Sequence, residues 1–372
     1  MPETTDRFVA VEPRSPRPVL EEGTHVARVC NACRYCEGLC PVFPAIERRL
    51  SFSESDLRYF ANLCHDCGEC LDACQYAPPH PFGVDVPRTL AAIRRASYQH
   101  YAWPHAFSGL FERSTLTLVL SAVLAPVLFA ATLAVTAGAE TFLAPHRDAD
   151  GAFYQVMSHT AMVGLFGGLA VLSVMALLVG VFRGWQDLID TAVPAPSPVT
   201  VRQALRDVLT LRYLGPHRDV DRGFRRVWHH CTFYGFLLCF AATSVAAVYH
   251  NLMGWMAPYP LLSVPVMLGV LGGVGLILGP IGLLWIKVRR PAERHDRAQF
   301  GMDVVFLVLL FETSVTGFLL LALRESAAMG PMLGIHLGAV AGLFVMLPFG
   351  KFVHGVYRCC AVLRSVIEGG LK

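Results

Sequence analysis

The chain has 372 residues, of which 54% are hydrophobic and only 16% are charged, and its mean hydropathy is +0.48. A soluble protein of this length normally carries about 25% charged residues, so the composition excludes an ordinary globular domain and indicates a membrane protein. The formal net charge of +3 is small, and the basic residues flank apolar stretches without forming an aromatic-interleaved patch, so nothing points to nucleic acid.

The polar and apolar residues are divided unevenly along the chain. Residues 1–113 are polar and rich in cysteine, whereas the remainder alternates long apolar runs with short arginine-rich loops. The first 20 residues contain four prolines and lack the apolar core of a secretory signal, which predicts a disordered leader. We therefore predict a leader over 1–20, a water-soluble domain over 21–113 and a membrane domain over 114–372.

Two cysteine runs in the soluble domain have the same spacing, C-x2-C-x2-C-x3-C. Three thiolates at this spacing bind three irons of one iron–sulfur cube, and in such pairs the fourth cysteine of each run reaches the other cube. The spacing thus predicts two 4Fe–4S clusters. The predicted ligands of the first cluster are Cys30, Cys33, Cys36 and Cys74. Those of the second cluster are Cys64, Cys67, Cys70 and Cys40.

Disulfide bonds and structural zinc are the alternative interpretations of these cysteines. Disulfides need an oxidising compartment, and no signal peptide precedes the runs. A zinc site needs four ligands, usually as two separated pairs, and it does not need a third cysteine at the x2 spacing. The spacing therefore favours iron–sulfur clusters over both.

Six stretches are long and apolar enough to cross a bilayer, which requires about 20 residues each. They cover 115–138, 153–182, 228–254, 261–286, 301–323 and 332–356.

The loops between these stretches differ in charge. The loop at 183–227 contains eight arginines, and the loop at 287–300 contains four arginines and one lysine. The loops at 139–152, 255–260 and 324–331 contain only Arg147 and Arg324 between them. The positive-inside rule then predicts that both termini and the cluster domain are cytoplasmic. The membrane itself is expected to be the inner membrane of a bacterium. This is the reducing side, where thiolates remain available to bind iron.

Four histidines near the ends of the third and sixth spans form two pairs at matched depths. In the sixth span, His336 and His354 are about five helical turns, or roughly 27 Å, apart on one face. The direction of the spans then pairs His229 with His354 at the inner end, and His250 with His336 at the outer end. Neutral imidazoles on facing helices are the ligands of a low-spin b-type haem, so one or two haems are predicted.

Each of these histidines has an ordinary interpretation as a polar residue at a helix end. His159, in the outer half of the second span, is an alternative outer ligand, and His230 is an alternative inner ligand. His229 is preferred over His230 because it lies nearer the helical face of His250.

Glu312 lies in the middle of the fifth span. A carboxyl inside the membrane is a functional candidate by default, and Glu312 is a candidate proton relay. The alternative is a protonated structural glutamate bonded to a neighbouring helix. No other catalytic residue is indicated, since the chain has no glycine-rich dinucleotide fingerprint and offers no site for substrate chemistry.

Motifs within residues 30–104 closely resemble those of one family. They are Cys30-Asn-Ala-Cys-Arg-Tyr-Cys-Glu-Gly-Leu-Cys40, Asn62-Leu-Cys-His65, Gln75-Tyr-Ala-Pro-Pro-His80 and Tyr101-Ala-Trp-Pro104. The family is that of tricarballylate-utilization protein B, also called citrate-utilization protein B, and the resemblance extends over essentially the whole chain.

The resemblance implies a membrane electron carrier with two 4Fe–4S clusters and haem. Its implied donor is the reduced flavin of a separate FAD-dependent dehydrogenase of the tricarballylate type, and its implied acceptor is the membrane quinone pool. Similar domains also occur fused to flavoproteins of cobalamin-ring synthesis that act as monooxygenases, so an electron-transfer component of that kind is an alternative. A membrane redox sensor or assembly factor is a third possibility.

The resemblance also implies that the cluster domain is an α-helical ferredoxin, so the predicted fold class is all-α, with this domain followed by a six-helix transmembrane bundle. A helical period over Leu57, Phe60, Leu63 and Cys67, with Ser55 as the helix N-cap, supports this class. The β-rich bacterial ferredoxin is the alternative.

Overall fold

The computed structural model describes residues 18–146, 151–189, 194–214, 220–291 and 296–370. The predicted leader thus lies outside the described residues, except for its last three, of which Val19 and Leu20 belong to the first helix. The described ranges contain sixteen α-helices and no β-strand. The all-α prediction is therefore confirmed, and the β-rich alternative is wrong for the described part of the chain.

Five helices form the cysteine-rich domain, called the cluster domain below, around one hydrophobic core. They are α1 (Val19–Cys33), α2 (Val42–Glu47), α3 (Glu54–Leu63), α4 (Glu69–Asp72) and α5 (Val86–Tyr101). Buried side chains of α3 and α5, including Leu57, Phe60 and Ile93, fill this core. The packed helices hold the loop after α1, which carries Cys36 and Cys40, and the loop after α3, which carries Cys64 and Cys67.

The N-cap of α3 is Ser53, and the prediction of Ser55 was wrong. Ser53 Oγ accepts a hydrogen bond from the backbone N–H of Asp56 at 3.1 Å, and Asp56 Oδ2 accepts one from the backbone N–H of Ser53 at 3.2 Å. This reciprocal pair satisfies two backbone donors and fixes the start of the helix. Ser55 instead donates its hydroxyl to the carbonyl oxygen of Asp187 in the membrane domain.

Six apolar segments of the described chain are long enough to cross a membrane. The first comprises α6 (Ser114–Leu118), a π-helical turn (Val119–Leu124) and α7 (Ala125–Ala137). The others are α10 (His159–Leu188), α12 (Val220–Met253), α13 (Val264–Arg289), α14 (Arg297–Leu323) and the pair α15 (Met329–Met346) with α16 (Val353–Ile367). Short helices lie between them, namely α8 (Ala139–Phe142), α9 (Ala152–Val156) and α11 (Pro198–Leu209).

The sixth segment is not the single straight helix that was predicted over 332–356. Helix α15 ends at Met346, a 3-10 turn follows over Leu347–Phe349, and α16 begins at Val353. Pro348 within the turn has no backbone N–H, and its ring excludes a regular helical carbonyl beneath it. His336 and His354 therefore lie on two helices, and the argument from one continuous helical face does not apply to them.

Glycines allow α12 and α13 to pack with their backbones in close approach. A Cβ atom at Gly235 would lie 2.9 Å from the carbonyl oxygen of Gly272, and one at Gly279 would lie 2.6 Å from the backbone nitrogen of Thr232. Small residues at such contacts are typical of helix pairs in membranes. The two helices consequently form one unit beneath the cluster domain.

Ion pairs and a hydrogen bond hold the cluster domain against the end of the helix bundle. Arg58 donates two hydrogen bonds to the carboxylate of Asp187, at 2.7 and 2.9 Å, and Tyr101 donates a third at 2.5 Å. Arg49 pairs with Glu368, just beyond the end of α16, at 2.7 Å. Bidentate arginine–carboxylate contacts fix orientation, so the cysteine loops have a defined position over the bundle.

Candidate metal centres

The eight cysteines separate into two groups, and each group combines residues from both runs. One cavity is lined by the first group, Cys30, Cys33, Cys36 and Cys74. A smaller and more enclosed cavity is lined by the second group, Cys40, Cys64, Cys67 and Cys70. The last cysteine of each run thus lies with the first three of the other, which is the arrangement that two 4Fe–4S cubes require.

The thiols of each group raise one another's pKa. Burial, followed by the charges of Cys74, Cys36 and Cys33, raises the pKa of Cys30 to about 12. Burial, followed by Cys64 and Cys67, raises the pKa of Cys40 above its usual range. Thiolates this close together repel one another unless positive charge lies between them, and bound iron supplies such charge.

The two groups do not form mononuclear metal sites. Within the described ranges, no three histidine, cysteine or acidic side chains converge on a position that one metal ion would occupy. A 4Fe–4S cube holds its thiolates farther apart than one zinc ion does, because each thiolate binds a different iron. The donor sets, which contain only cysteine, therefore fit cubes better than zinc.

Two arginines of the membrane helices bind the loop that carries the second group. Arg225 of α12 donates to the carbonyl oxygens of His65, at 3.1 Å, and of Asp66, at 3.0 Å. Arg290, which follows α13, donates to the carbonyl oxygen of Asp66 at 2.9 Å and pairs with its carboxylate at 3.3 Å. The loop after α3 is thus held by guanidinium groups from residues far away in sequence.

Two further arginines bind the backbone that leads into this loop. Arg94 of α5 donates to the carbonyl oxygen of Cys64 at 2.8 Å, and Arg358 of α16 donates to that of Leu63 at 2.6 Å. The four arginines 94, 225, 290 and 358, here called the arginine cradle, place positive charge around the second group.

The charged residues near the first group differ from those near the second. Burial is the largest cause that raises the pKa of Cys74, and the carboxylate of Asp85 also raises it. Arg34 lines the cavity of the first group. The two groups consequently have different electrostatic surroundings.

His65 lies beside the second group and near the inner histidines. Its side chain lines the same cavity as Cys64 and Cys67, and its Nε2 is buried with no hydrogen-bond partner in the described chain. Burial, followed by Arg358, Arg225 and His229, lowers the pKa of His65 well below its usual value. A neutral imidazole therefore lies within electrostatic reach of both the second group and His229.

The rings of His229 and His354, the predicted inner pair, lie close together. Their ring centroids are 6.1 Å apart, and the ring planes meet at 68°. Two imidazoles on opposite sides of one metal, each at a metal–nitrogen distance of about 2.0–2.1 Å, have centroids about 6 Å apart. His354 Nδ1 is hydrogen-bonded to the carbonyl oxygen of Lys351 at 2.6 Å, which assigns the proton to Nδ1 and leaves Nε2 available as a ligand.

His250 and His336 are not seen in ring contact within the described residues. His250 instead stacks on His159, the alternative outer ligand, with centroids 3.5 Å apart, and Tyr154 packs against both rings. His336 Nδ1 is hydrogen-bonded to Thr316 Oγ1 of α14 at 3.1 Å. The outer pairing thus stays a prediction.

His230 and Glu312, the remaining candidates, lie outside the inner pair. The ring of His230 stacks on Tyr234, with centroids 5.6 Å apart, so it has a partner other than His354. Glu312 is half-buried, and its Oε2 has no hydrogen-bond partner in the described chain. Its carbonyl oxygen accepts a hydrogen bond from Thr316, which is also the partner of His336. The proton-relay role stays a prediction from the sequence.

A buried ion cluster near the inner pair was missed by the sequence analysis. Asp303 of α14 pairs with Lys287 of α13 and, at 2.7 Å, with Lys351 before α16, and it accepts a hydrogen bond from Gln299 at 2.7 Å. The carbonyl group of Lys351 is the partner of His354, so this cluster positions a candidate ligand. Asp303 itself, an aspartate near the start of the fifth span, was the available signal, since a charged residue within a span requires a buried partner.

Comparisons with known proteins match both parts of the chain. Residues 24–100 match the family described as the citrate utilization protein B Fer4-like domain, and residues 109–370 match the family described as citrate utilization protein B. A curated relative, citrate utilization protein B of Escherichia coli, is 48% identical over 355 residues, which cover 93% of this chain and 92% of the relative. No solved structure matches the chain.

Proposed function

The chain belongs to the citrate utilization protein B family, and from this premise we propose that it carries electrons from a flavoprotein to membrane quinone. The family membership, the Fer4-like domain and the six apolar segments support a role in membrane electron transfer. The proposal adds two 4Fe–4S clusters, b-type haem, a reduced FAD-dependent dehydrogenase of the tricarballylate type as donor, and quinone as acceptor.

The single observation that carries the proposal is the division of the cysteines into two groups of four. Each group supplies the four thiolates that one cube needs, and the two groups adjoin, since Cys36 of the first contributes to the raised pKa of Cys70 in the second. Bound cubes would supply one-electron transfer, which a two-electron flavin donor requires when its electrons leave singly. The protein's own residues hold the thiolates, exclude water and set the surrounding charge.

The inner histidine pair supports one haem between α12 and α16. His229 and His354 have the centroid separation of a bis-imidazole site, and His229 Nδ1 is buried without a partner in the described chain. His65 lies within reach of this pair from the second cysteine group. The order proposed for the redox groups is therefore first cluster, second cluster and inner haem. A second haem would use His250 and His336, with His159 as the alternative ligand.

The chain itself does not act on the substrate of the dehydrogenase in this proposal, since the redox groups only accept and pass on electrons. The identity of that substrate is set by the partner flavoprotein. The proposed orientation places both termini and the two clusters in the cytoplasm of a bacterium, on the side where a soluble flavoprotein has access.

The test is the cofactor content of the anaerobically purified protein together with the effect of Cys67→Ser. We expect about eight non-haem irons and one or two haems per chain, because two cubes contain eight irons. Cys67→Ser should abolish electron transfer from the reduced flavoprotein to decylubiquinone while the flavoprotein still reduces an artificial dye.

Cys359→Ser is the matched control, since Cys359 is an exposed cysteine of α16 outside both groups. It should retain the iron content and the quinone reduction of the wild type. Quinone reduction that survives Cys67→Ser, or a wild-type protein without non-haem iron, would contradict the proposed electron path.

A further inference from the structure

A groove between α12 and α13 opens beside the second cysteine group. It has a volume of about 580 Å³, which is within the range of small-ligand sites of about 300–1,000 Å³. Cys67 and Gly68 of the cluster domain line one end. The ring of Trp228 lies directly over Gly282, where a Cβ atom would overlap it, so the missing side chain makes room for the aromatic wall.

The lining of the groove is aromatic and aliphatic. Phe224, Trp228 and Trp285 contribute rings, and Leu278 and Ile281 contribute branched side chains. Trp285 is 58% exposed and Ile281 is 51% exposed, although both lie within an apolar helix that is long enough to cross a membrane. The open side of the groove therefore faces the position of the bilayer, from which an apolar ligand would enter.

The basic side chains of the groove already have partners. Arg225 and Arg290 donate to the carbonyl groups of the cysteine loop, and the guanidinium group of Arg289 lies 4.1 Å from the ring centroid of Trp285. A lipid phosphate would have to compete for these contacts. A flat, uncharged ring with carbonyl acceptors would instead stack on the aromatic walls and accept a hydrogen bond from an indole N–H.

We propose that this groove, between the cytoplasmic ends of α12 and α13, binds the head group of the quinone acceptor beside the Cys67 end of the cluster domain. The inference rests on the proposed function, in which quinone takes two electrons from the reduced flavoprotein through the iron–sulfur groups and the inner haem, and two protons from water, to become quinol. His229, a candidate ligand of that haem, follows Trp228 of the groove on α12. The quinone ring then lies next to a cluster ligand at the inner membrane surface, with its isoprenoid tail towards the lipid.

The experiment is photolabelling of the purified full chain with an azido-ubiquinone, followed by mass spectrometry of the labelled peptides. Label is expected within residues 224–228 or 278–291, and an excess of decylubiquinone should suppress it. Ile281→Trp fills the groove and should lower this labelling at least about tenfold, which corresponds to about 1.4 kcal/mol of binding free energy. Leu271→Trp, on the same helix, 58% exposed and outside the groove, should leave it unchanged.

Label that maps elsewhere and is suppressed by decylubiquinone would overturn the placement. Suppression by phosphatidylglycerol but not by decylubiquinone would identify a lipid site and would also overturn it. Equal labelling of the Ile281→Trp and Leu271→Trp proteins would do the same. Quinone reduction by the wild-type protein with its flavoprotein is measured in parallel. If that reduction is absent, the proposed function fails, whereas reduction with label elsewhere removes only the groove.

Discussion

The carbonyl oxygens of His65 and Asp66 accept hydrogen bonds from Arg225 and Arg290, and these arginines place positive charge near the second cysteine group. A 4Fe–4S group with four thiolates becomes more negative when it is reduced. Nearby positive charge and hydrogen bonds stabilise the reduced form and raise the reduction potential. The second group has the four arginines of the cradle and the carboxylate of Asp66, whereas the first has Arg34 and the carboxylate of Asp85 nearby. Electrons should therefore move from the first cluster to the second.

We accordingly predict that Arg290→Gln lowers the reduction potential of the second cluster more than that of the first. The substitution removes a positive charge that lies 3.3 Å from the Asp66 carboxylate and 2.9 Å from its carbonyl oxygen. The measurement is a redox titration followed by electron paramagnetic resonance, which separates the two signals.

Arg289→Gln is the control for this titration. Arg289 is the neighbouring residue in sequence, but its guanidinium group packs over Trp285. Its loss should shift the second cluster less than the loss of Arg290 does. An unchanged potential in Arg290→Gln, or an equal shift of both clusters, would show that the arginine cradle does not set the difference.

At the scale of helices, the sequence predicted those features that depend on local pattern. The fourth span was predicted at 261–286 and lies at Val264–Arg289, and the fifth was predicted at 301–323 and lies at Arg297–Leu323. A bilayer demands long apolar helices, so such segments are readable from composition alone. The break in the sixth segment was missed because prolines are tolerated in membrane helices, so a proline alone does not predict that a helix ends.

The candidate sites also combine features that the sequence predicts with features that it does not. The grouping of the cysteines follows from their spacing, because each run positions its own three thiolates. The arginine cradle was not predictable, because Arg94, Arg225, Arg290 and Arg358 meet only when four helices pack. The stacking of His250 on His159 likewise depends on the mutual rotation of α10 and α12, which no periodicity specifies.

The ion cluster that joins α13, α14 and the start of α16 leads to a stability prediction. Asp303→Asn leaves Lys287 and Lys351 without their shared carboxylate in a buried position. Removal of one member of a buried ion pair typically costs about 3–5 kcal/mol of the free energy of unfolding. We expect a clearly lower melting temperature in detergent, measured by the loss of helical circular dichroism.

Glu325→Gln provides the comparison for Asp303→Asn. Glu325 is also a carboxylate of the membrane domain, but its side chain is 72% exposed and lies 3.8 Å from Arg324. Its removal should leave the melting temperature nearly unchanged, since exposed ion pairs contribute little. Similar melting temperatures for the two variants would show that Asp303 does not hold these helices together.

Over the whole molecule, the cluster domain and the basic loops lie at the same end of the bundle. Arg183, Arg225, Arg290 and Arg358 all donate to backbone carbonyls of residues 63–102. Basic residues are retained on the cytoplasmic side during membrane insertion. The arginines on which the predicted topology rests therefore also bind the cluster domain, so the position of this domain and the predicted orientation are linked.

The link yields a topology prediction that reporter fusions can check. Green fluorescent protein fused after residue 370 should fluoresce, because the C terminus is predicted to be cytoplasmic, where this protein folds. Alkaline phosphatase fused after Gly254, in the turn between α12 and α13 at the opposite end from the cluster domain, should be active, because that enzyme needs an oxidising exterior. An active phosphatase at the C terminus, with no activity after Gly254, would place the clusters outside. Thiolate ligands would then be exposed to oxidation, and a cytoplasmic flavoprotein could not be their donor.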